Sequence, residues 1–182
     1  MKPTIIIAHN QFSDTSMEEE VLSAIGATVQ HTRGLDTPGQ LEAARRADAL
    51  MVTIQKVTAE LLASMDRCRI ISRVGTGIDA IDVPAATARG IWVTNVPDYS
   101  VDEVSTHTVA MLLAHARRIP QLLESTRRGD WDSKFVQPLF RLKGQTLGLL
   151  GFGRIARATA EKARGLGLQV IAHDPYVDAE SI

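Results

Sequence analysis

Residues 146–176 read TLGLLGFGRIARATAEKARGLGLQVIAHDPY, and this stretch decides the fold of the second half of the chain. The apolar run Thr146–Leu150 predicts a buried strand, and the glycines that follow it predict a tight turn. Apolar residues at helical spacing predict a helix over 154–164, and a second apolar run predicts a strand over 168–172. A strand, a helix and a strand in this order predict a parallel pair joined by a right-handed crossover.

The glycine turn has the spacing of a dinucleotide-binding turn, with glycine at 151 and 153 and alanine at 156. Gly151 lets the chain turn sharply out of the strand, and Gly153 leaves room for a diphosphate beside the backbone. The helix that follows directs N–H groups and the positive end of its dipole towards that diphosphate. A tight turn without a ligand is the plainer alternative, but the complete strand–helix–strand context favours a nucleotide site.

Asp174 lies 21 residues after Gly153, at the end of the second predicted strand. A carboxylate at this position can accept hydrogen bonds from both hydroxyls of an adenosine ribose. The same carboxylate repels the additional phosphate of NADP, so we predict NAD as the cofactor.

The first half of the chain alternates short β-branched runs with helical patterns. Strands are predicted over 4–9, 27–31, 48–53, 69–74 and 91–94. This alternation predicts an α/β fold with a doubly wound parallel sheet, covered by helices on both faces.

A new unit is predicted to begin near Tyr99, with a long amphipathic helix from Ser100 to about Ile119. The patterns Ser16–Glu19 and Ser100–Glu103, written S-x-x-E, predict capping boxes at two helix starts, and 37–40 has a related pattern.

A second glycine-containing loop, RVGTGID over 73–79, follows the fourth predicted strand. Ligands of doubly wound sheets bind at the carboxyl ends of the strands, where this loop lies. Consecutive backbone N–H groups near Gly75 and Gly77 can hold an anion such as a carboxylate, although a plain tight turn fits the pattern equally well. Asp79 and Asp82 are interpreted as turn and cap residues.

Composition excludes some classes of function. The chain has a net charge of −1 and scattered arginines, so we predict no nucleic-acid binding. Its apolar runs are too short for a signal peptide or a membrane span, and a single cysteine fits a reducing compartment. We therefore predict a cytoplasmic protein without membrane attachment.

Cys68 has no partner at metal-ligand spacing, so we predict that it is a buried, unreactive thiol and that the chain holds no metal.

Three segments together resemble the D-isomer-specific 2-hydroxyacid dehydrogenase family. They are ISRVGTGIDAIDVPAATARGIWVTNVPDYSVDEVSTHTVAMLLAHARRI over 71–119, RGDW over 128–131 and LKGQTLGLLGFGRIA over 142–156. The resemblance covers about 48–176, and the family includes phosphoglycerate dehydrogenases, glyoxylate and hydroxypyruvate reductases and the C-terminal binding protein corepressors. It implies two domains. Residues 1–98 would form a flavodoxin-like substrate domain lacking its closing segment, and 99–182 the first βαβ part of a truncated Rossmann NAD-binding domain.

The resemblance also implies which residues form the sites. Four consecutive residues would hold the substrate carboxylate: Val74, Gly75, Thr76 and Gly77. Thr76 would also lie near NAD, and the remaining cofactor residues would be Gly151, Gly153, Arg154, Ile155 and Asp174. Asn95 and Pro97 match a structural turn before the crossing between domains.

The family transfers a hydride between nicotinamide and a 2-hydroxy or 2-oxo acid, with an arginine, a glutamate and a histidine as catalytic groups. All three follow the ribose-binding aspartate in the family, and none is assigned within this chain; His107 and His115 are interpreted as helix-surface or core residues. We therefore expect a fragment that is inactive alone, exposes apolar surface and associates as a homo-oligomer, namely a dimer.

The alternatives are an NAD-sensing regulator related to the C-terminal binding proteins and another NAD-using enzyme, such as a hydrolase. The segments RVGTGID and NVPDYSVDEV favour the dehydrogenase family over the last of these.

Overall fold

The computed structural model of the chain describes residues 2–8, 14–32, 38–132, 134–178 and 180. These residues form two compact units, Met1–Tyr99 and Ser100–Ile182, which are treated separately below. The capping pattern predicted over 37–40 includes Thr37, which lies outside the described residues.

The first unit contains a five-stranded parallel sheet in the order β2-β1-β3-β4-β5. Because β1 lies between β2 and β3, the chain winds first in one direction and then in the other, which confirms the predicted doubly wound α/β fold. The strands are β1 Thr4–Ala8, β2 Thr28–His31, β3 Ala49–Val52, β4 Ile70–Arg73 and β5 Trp92–Thr94. The helices between them are α1 Ser16–Ser23, α2 Pro38–Arg45, α3 Ala59–Ala63 and α4 Val83–Ala88.

Apolar side chains of the three central strands form the core of this unit. Ile6, Leu50 and Ile71 occupy successive strands β1, β3 and β4 and are fully buried. Burial of such side chains on both faces of the sheet explains the continuous apolar runs in the sequence. Cys68 is buried as predicted, and burial raises the pKa of its thiol. Asp82 caps α4 by accepting a hydrogen bond from the Ala85 N–H at 2.9 Å, which confirms its role as a cap residue.

The second unit is built around one parallel strand pair. Its elements are α5 Val101–Ala116, α6 Ile119–Arg127, a 3-10 turn at Lys134–Val136, β6 Thr146–Leu150, α7 Arg154–Gly165 and β7 Gln169–His173. Strand β6 pairs with β7 along its full length. Helices α5 and α7 are joined by Lys162, whose ammonium donates to Asp102 Oδ1 and to the buried Ser105 hydroxyl, both at 2.7 Å.

Two details of the helix predictions were wrong. Ser16 is the first residue of α1 rather than its N-cap, which is Thr15, and neither Thr15 nor Ser100 at the start of α5 makes a side-chain capping bond. The hydroxyl of Thr15 instead bonds the Glu19 carboxylate, which also contacts His31 at 2.9 Å, so the capping-box glutamate is engaged elsewhere. The helix predicted to reach Ile119 ends at Ala116, because Arg118 adopts a left-handed conformation with φ of 54° that interrupts the helical path.

Several large apolar side chains of the second unit are exposed. Leu150 and Ile171, on one face of the β6–β7 pair, are 95% and 62% exposed. Trp131 and Phe140 are also exposed. Among the helices that the structure describes, none combines the length and the apolar character needed to cross a membrane.

Candidate functional site

The glycine turn of the second unit leaves β6 and enters α7 without any side chain filling it. Gly151 has a φ of 90°, a conformation that favours glycine, and it turns the chain out of the strand as predicted. Gly153 is the N-cap of α7, and a Cβ built on either glycine would meet no atom within 4 Å. The first N–H groups of α7 have no acceptor within the helix, so the turn presents open space beside hydrogen-bond donors.

Asp174 lies directly against this turn. Its Oδ2 accepts a hydrogen bond from the Phe152 N–H at 2.7 Å, and its Oδ1 accepts one from the Tyr176 N–H at 2.8 Å. The Phe152 hydrogen bond is the largest of several causes that lower the pKa of this carboxyl, followed by the bond from Tyr176. The carboxylate is therefore ionised at neutral pH. It is bonded to the residue that lies between the two glycines. The glycine turn and Asp174 are far apart in the sequence, but the parallel pairing of β6 and β7 brings them next to each other.

Phe152 and Arg157 complete the turn, and neither was predicted from the sequence. The Phe152 side chain is buried, and the Arg157 guanidinium lies 4.6 Å from the centre of its ring. Arg157 Nε also donates to the Phe152 carbonyl at 3.0 Å. Both backbone polar groups of Phe152 are therefore fixed by side chains, Asp174 on one side and Arg157 on the other. Arg154 and Ile155, the other predicted cofactor residues, occupy the first turn of α7 with exposed side chains.

The loop Val74–Gly77 follows β4 in the first unit, at the carboxyl edge of the five-stranded sheet. The Val74 N–H continues the sheet by donating to the Val52 carbonyl at 2.8 Å. Gly75 then adopts a φ of 138°, and a Cβ on it would overlap the Arg73 guanidinium. That guanidinium folds back over the loop, where its Nη1 donates to the Val74 carbonyl at 2.7 Å. The backbone conformation favours glycine at 75, and any larger residue there would also displace the Arg73 guanidinium from its place over the loop.

Two residues that follow β5, Asn95 and Val96, also hold this loop through hydrogen bonds. The Val96 N–H donates to the Gly75 carbonyl at 3.0 Å, and the Asn95 side-chain amide donates to the Thr76 carbonyl at 2.7 Å. The Thr76 hydroxyl in turn donates to the Val96 carbonyl at 3.1 Å. From the sequence, Asn95 was predicted only to have a structural role in a turn. Its bond to Thr76 spans 19 residues of sequence, and no local pattern could have indicated it.

Comparisons with known proteins identify the family. The family model described as "D-isomer specific 2-hydroxyacid dehydrogenase, catalytic domain" matches residues 6–173. The D-3-phosphoglycerate dehydrogenase of Methanocaldococcus jannaschii is 39% identical over 162 residues, which cover 88% of this chain and 30% of that protein. The glyoxylate reductase of Thermococcus litoralis is 42% identical over 138 residues, which cover 72% of this chain and 42% of that protein.

Solved structures give the same result. The crystal structure of D-lactate dehydrogenase from Aquifex aeolicus, complexed with NAD and lactic acid, matches with a TM-score of 0.84 and 26% identity. The match covers 97% of this chain and 53% of that one, so this chain spans only part of the relatives that it matches. The resemblance inferred from the three sequence segments is thereby confirmed: the chain belongs to the D-isomer-specific 2-hydroxyacid dehydrogenase family.

Proposed function

We propose that the chain is part of an NAD-dependent oxidoreductase that acts on a small 2-hydroxy or 2-oxo acid. The observation that carries this proposal is the hydrogen bond between Asp174 and the backbone of the glycine turn, within an open turn at a helix start. This arrangement suits the diphosphate and the ribose of one dinucleotide. The substrate class comes from relatives named as phosphoglycerate dehydrogenase, glyoxylate reductase and D-lactate dehydrogenase.

The residues of the second unit fit NAD. Gly151 and Gly153 leave space beside the start of α7, and the N–H groups there can bind a diphosphate. Arg154 and Ile155 lie in the same helical turn, where they would contact the nucleotide. Asp174 retains unshared lone pairs for the ribose hydroxyls, and its negative charge opposes the additional phosphate of NADP. When bound, the cofactor accepts a hydride as NAD or donates one as NADH, while the protein orients the reactants and provides the electrostatic environment.

The loop of the first unit fits a carboxylate. The residues proposed to bind it are Val74, Gly75, Thr76 and Gly77. The N–H groups of Thr76 and Gly77 donate to no acceptor within the described part of the chain, so both are available to an anion. Thr76 is proposed to serve the cofactor as well; its hydroxyl donates to Val96 and can still accept one hydrogen bond.

We assign residues 1–98 to a substrate domain and 99–182 to the first part of a Rossmann domain. The arginine, glutamate and histidine that the family resemblance implies for catalysis are not assigned to any residue here. The chain by itself is therefore proposed to bind ligands without turning them over. Incubation of the purified chain with NADH and hydroxypyruvate tests this: absorbance at the NADH band should stay constant, and steady NADH oxidation would refute it.

We further propose that the protein is cytoplasmic and self-associates as a homodimer. The exposed apolar side chains of the second unit, including Leu150, Ile171 and Trp131, support association, because water-exposed apolar area of this kind favours burial in an interface. The single cysteine, buried as Cys68, supports a reducing compartment.

A further inference from the structure

Three consecutive carbonyl groups of the loop Val74–Gly77 accept hydrogen bonds from neighbouring donors. The Val74 carbonyl accepts from Arg73, the Gly75 carbonyl from the Val96 N–H, and the Thr76 carbonyl from the Asn95 side chain. The last two donors belong to adjacent residues that follow β5. The carbonyls of Gly75 and Thr76 therefore both point towards the end of that strand.

The peptide plane converts these carbonyl bonds into a direction for the N–H groups. In a trans peptide the carbonyl of one residue and the N–H of the next lie in one plane and point in opposite directions. The cis bond in the described chain is at Gln137–Pro138, so the peptides of this loop are trans. The Gly75 carbonyl thus directs the Thr76 N–H away from β5, and the Thr76 carbonyl does the same for the Gly77 N–H. Both N–H groups face the same side, without an acceptor among the described residues.

We propose that Asn95 is a positioning residue for the substrate carboxylate. It acts through the peptide between Thr76 and Gly77: by holding the Thr76 carbonyl at 2.7 Å, its amide aims the Gly77 N–H at the anion. Val96 does the same for the preceding peptide, but with its backbone N–H, which no substitution other than proline removes. Asn95 is therefore the side chain that sets the direction of the Gly77 N–H. This inference depends on the proposed substrate site and adds to it a residue that need not contact the substrate.

Asn95 is exposed, and among the described residues its side chain makes no other hydrogen bond, so removing its amide leaves the core of the first unit intact. Without that bond the peptide between Thr76 and Gly77 can rotate, and its N–H is no longer held towards the anion. The loss of one neutral hydrogen bond corresponds to roughly a two- to tenfold loss of affinity. The adjacent Thr94 is also exposed, and its hydroxyl makes no hydrogen bond among the described residues, so Thr94→Ala is the matched control.

The experiment is a titration of the ¹⁵N-labelled full 182-residue chain with oxamate, a stable analogue of a 2-oxo acid, followed by the amide resonances of Thr76 and Gly77. We expect both resonances to shift in the native chain and in Thr94→Ala with the same affinity. In Asn95→Ala the affinity should fall two- to tenfold, and the Gly77 shift at saturation should shrink. Asn95→Ser, whose hydroxyl is too short to reach the Thr76 carbonyl, should behave in the same way.

The outcomes distinguish the proposed carboxylate site from the proposed role of Asn95. If the native chain and Asn95→Ala respond equally, Asn95 has no positioning role, while the carboxylate site stands. If oxamate leaves both amides of the native chain unchanged, the carboxylate site itself is wrong and the role of Asn95 is overturned with it. If Thr94→Ala weakens binding as much as Asn95→Ala, the effect comes from β5 in general and the inference fails.

Discussion

Gly153 is the position at which nucleotide binding and stability should separate most clearly. Its φ of −73° and ψ of −172° are available to alanine, and a Cβ there meets nothing within 4 Å. A compatible Gly→Ala change stabilises a protein by about 0.4–1 kcal/mol through the unfolded chain. Alanine is a poorer N-cap than glycine by roughly 0.5–1 kcal/mol, so the two effects nearly cancel. We expect Gly153→Ala to change the free energy of unfolding by less than about 1 kcal/mol.

The same methyl group should weaken NAD binding strongly, because it occupies the space left for the diphosphate. Overlap with one methyl group in a close-packed contact costs about 1–3 kcal/mol, which corresponds to roughly a 5- to 160-fold rise in Kd. Saturation-transfer NMR measures NAD binding even when it is weak, and thermal unfolding measures stability. The matched control is Gly165→Ala at the opposite end of α7, where a Cβ also meets nothing within 4 Å and NAD affinity should not change.

Two results would refute this reasoning. Native NAD affinity in Gly153→Ala would mean that the diphosphate does not approach this residue. A loss of stability above about 2 kcal/mol would mean that the turn is crowded rather than open. Gly151→Ala provides a contrast, because its φ of 90° makes alanine costly, by about 1–3 kcal/mol, in the absence of any ligand.

Three further predictions concern the second unit. Asp174→Ala should weaken NAD binding more than NADP binding, as measured by parallel titrations; equal losses would remove its role in choosing the cofactor. Lys162→Met should lower the free energy of unfolding by about 1–2 kcal/mol in denaturant titration, since it removes the bonds to Asp102 and Ser105; an unchanged midpoint would show that this contact is not stabilising. Sedimentation velocity should show a dimer, and a compact monomer at all concentrations would contradict the proposed association.

The parts of the fold that were predicted from the sequence depend on local patterns. Strand β6 was predicted with its observed bounds, Thr146–Leu150, because an apolar run is followed at once by a glycine that needs positive φ. The remaining strands agree within one residue or so at each end. The helix caps were less successful, since Glu19 is drawn to His31, a partner from another element. Local patterns predict which conformations are available, whereas competing tertiary contacts decide which side chain bonds which group.

The candidate sites show the same division. The glycines at 151 and 153 and the carboxylate at 174 were predicted because the strand–helix–strand motif fixes their spacing. The contacts that hold these sites in shape were not predicted. The Arg157 contact with Phe152 and the Asn95 bond to Thr76 depend on side-chain directions and on strand order, which the sequence does not state locally. The order β2-β1-β3-β4-β5 brings the ends of β4 and β5 together and so creates the Asn95 contact.

The most direct measurement of the central claim is a map of backbone amide shifts as NAD is added to the chain. The account predicts that the largest shifts fall on Gly153, Ile155 and Phe152, because the last of these donates to the carboxylate that would bind the ribose. NADP at the same concentration should produce smaller shifts at these positions. Shifts confined to other parts of the chain, or equal shifts with both nucleotides, would contradict the account.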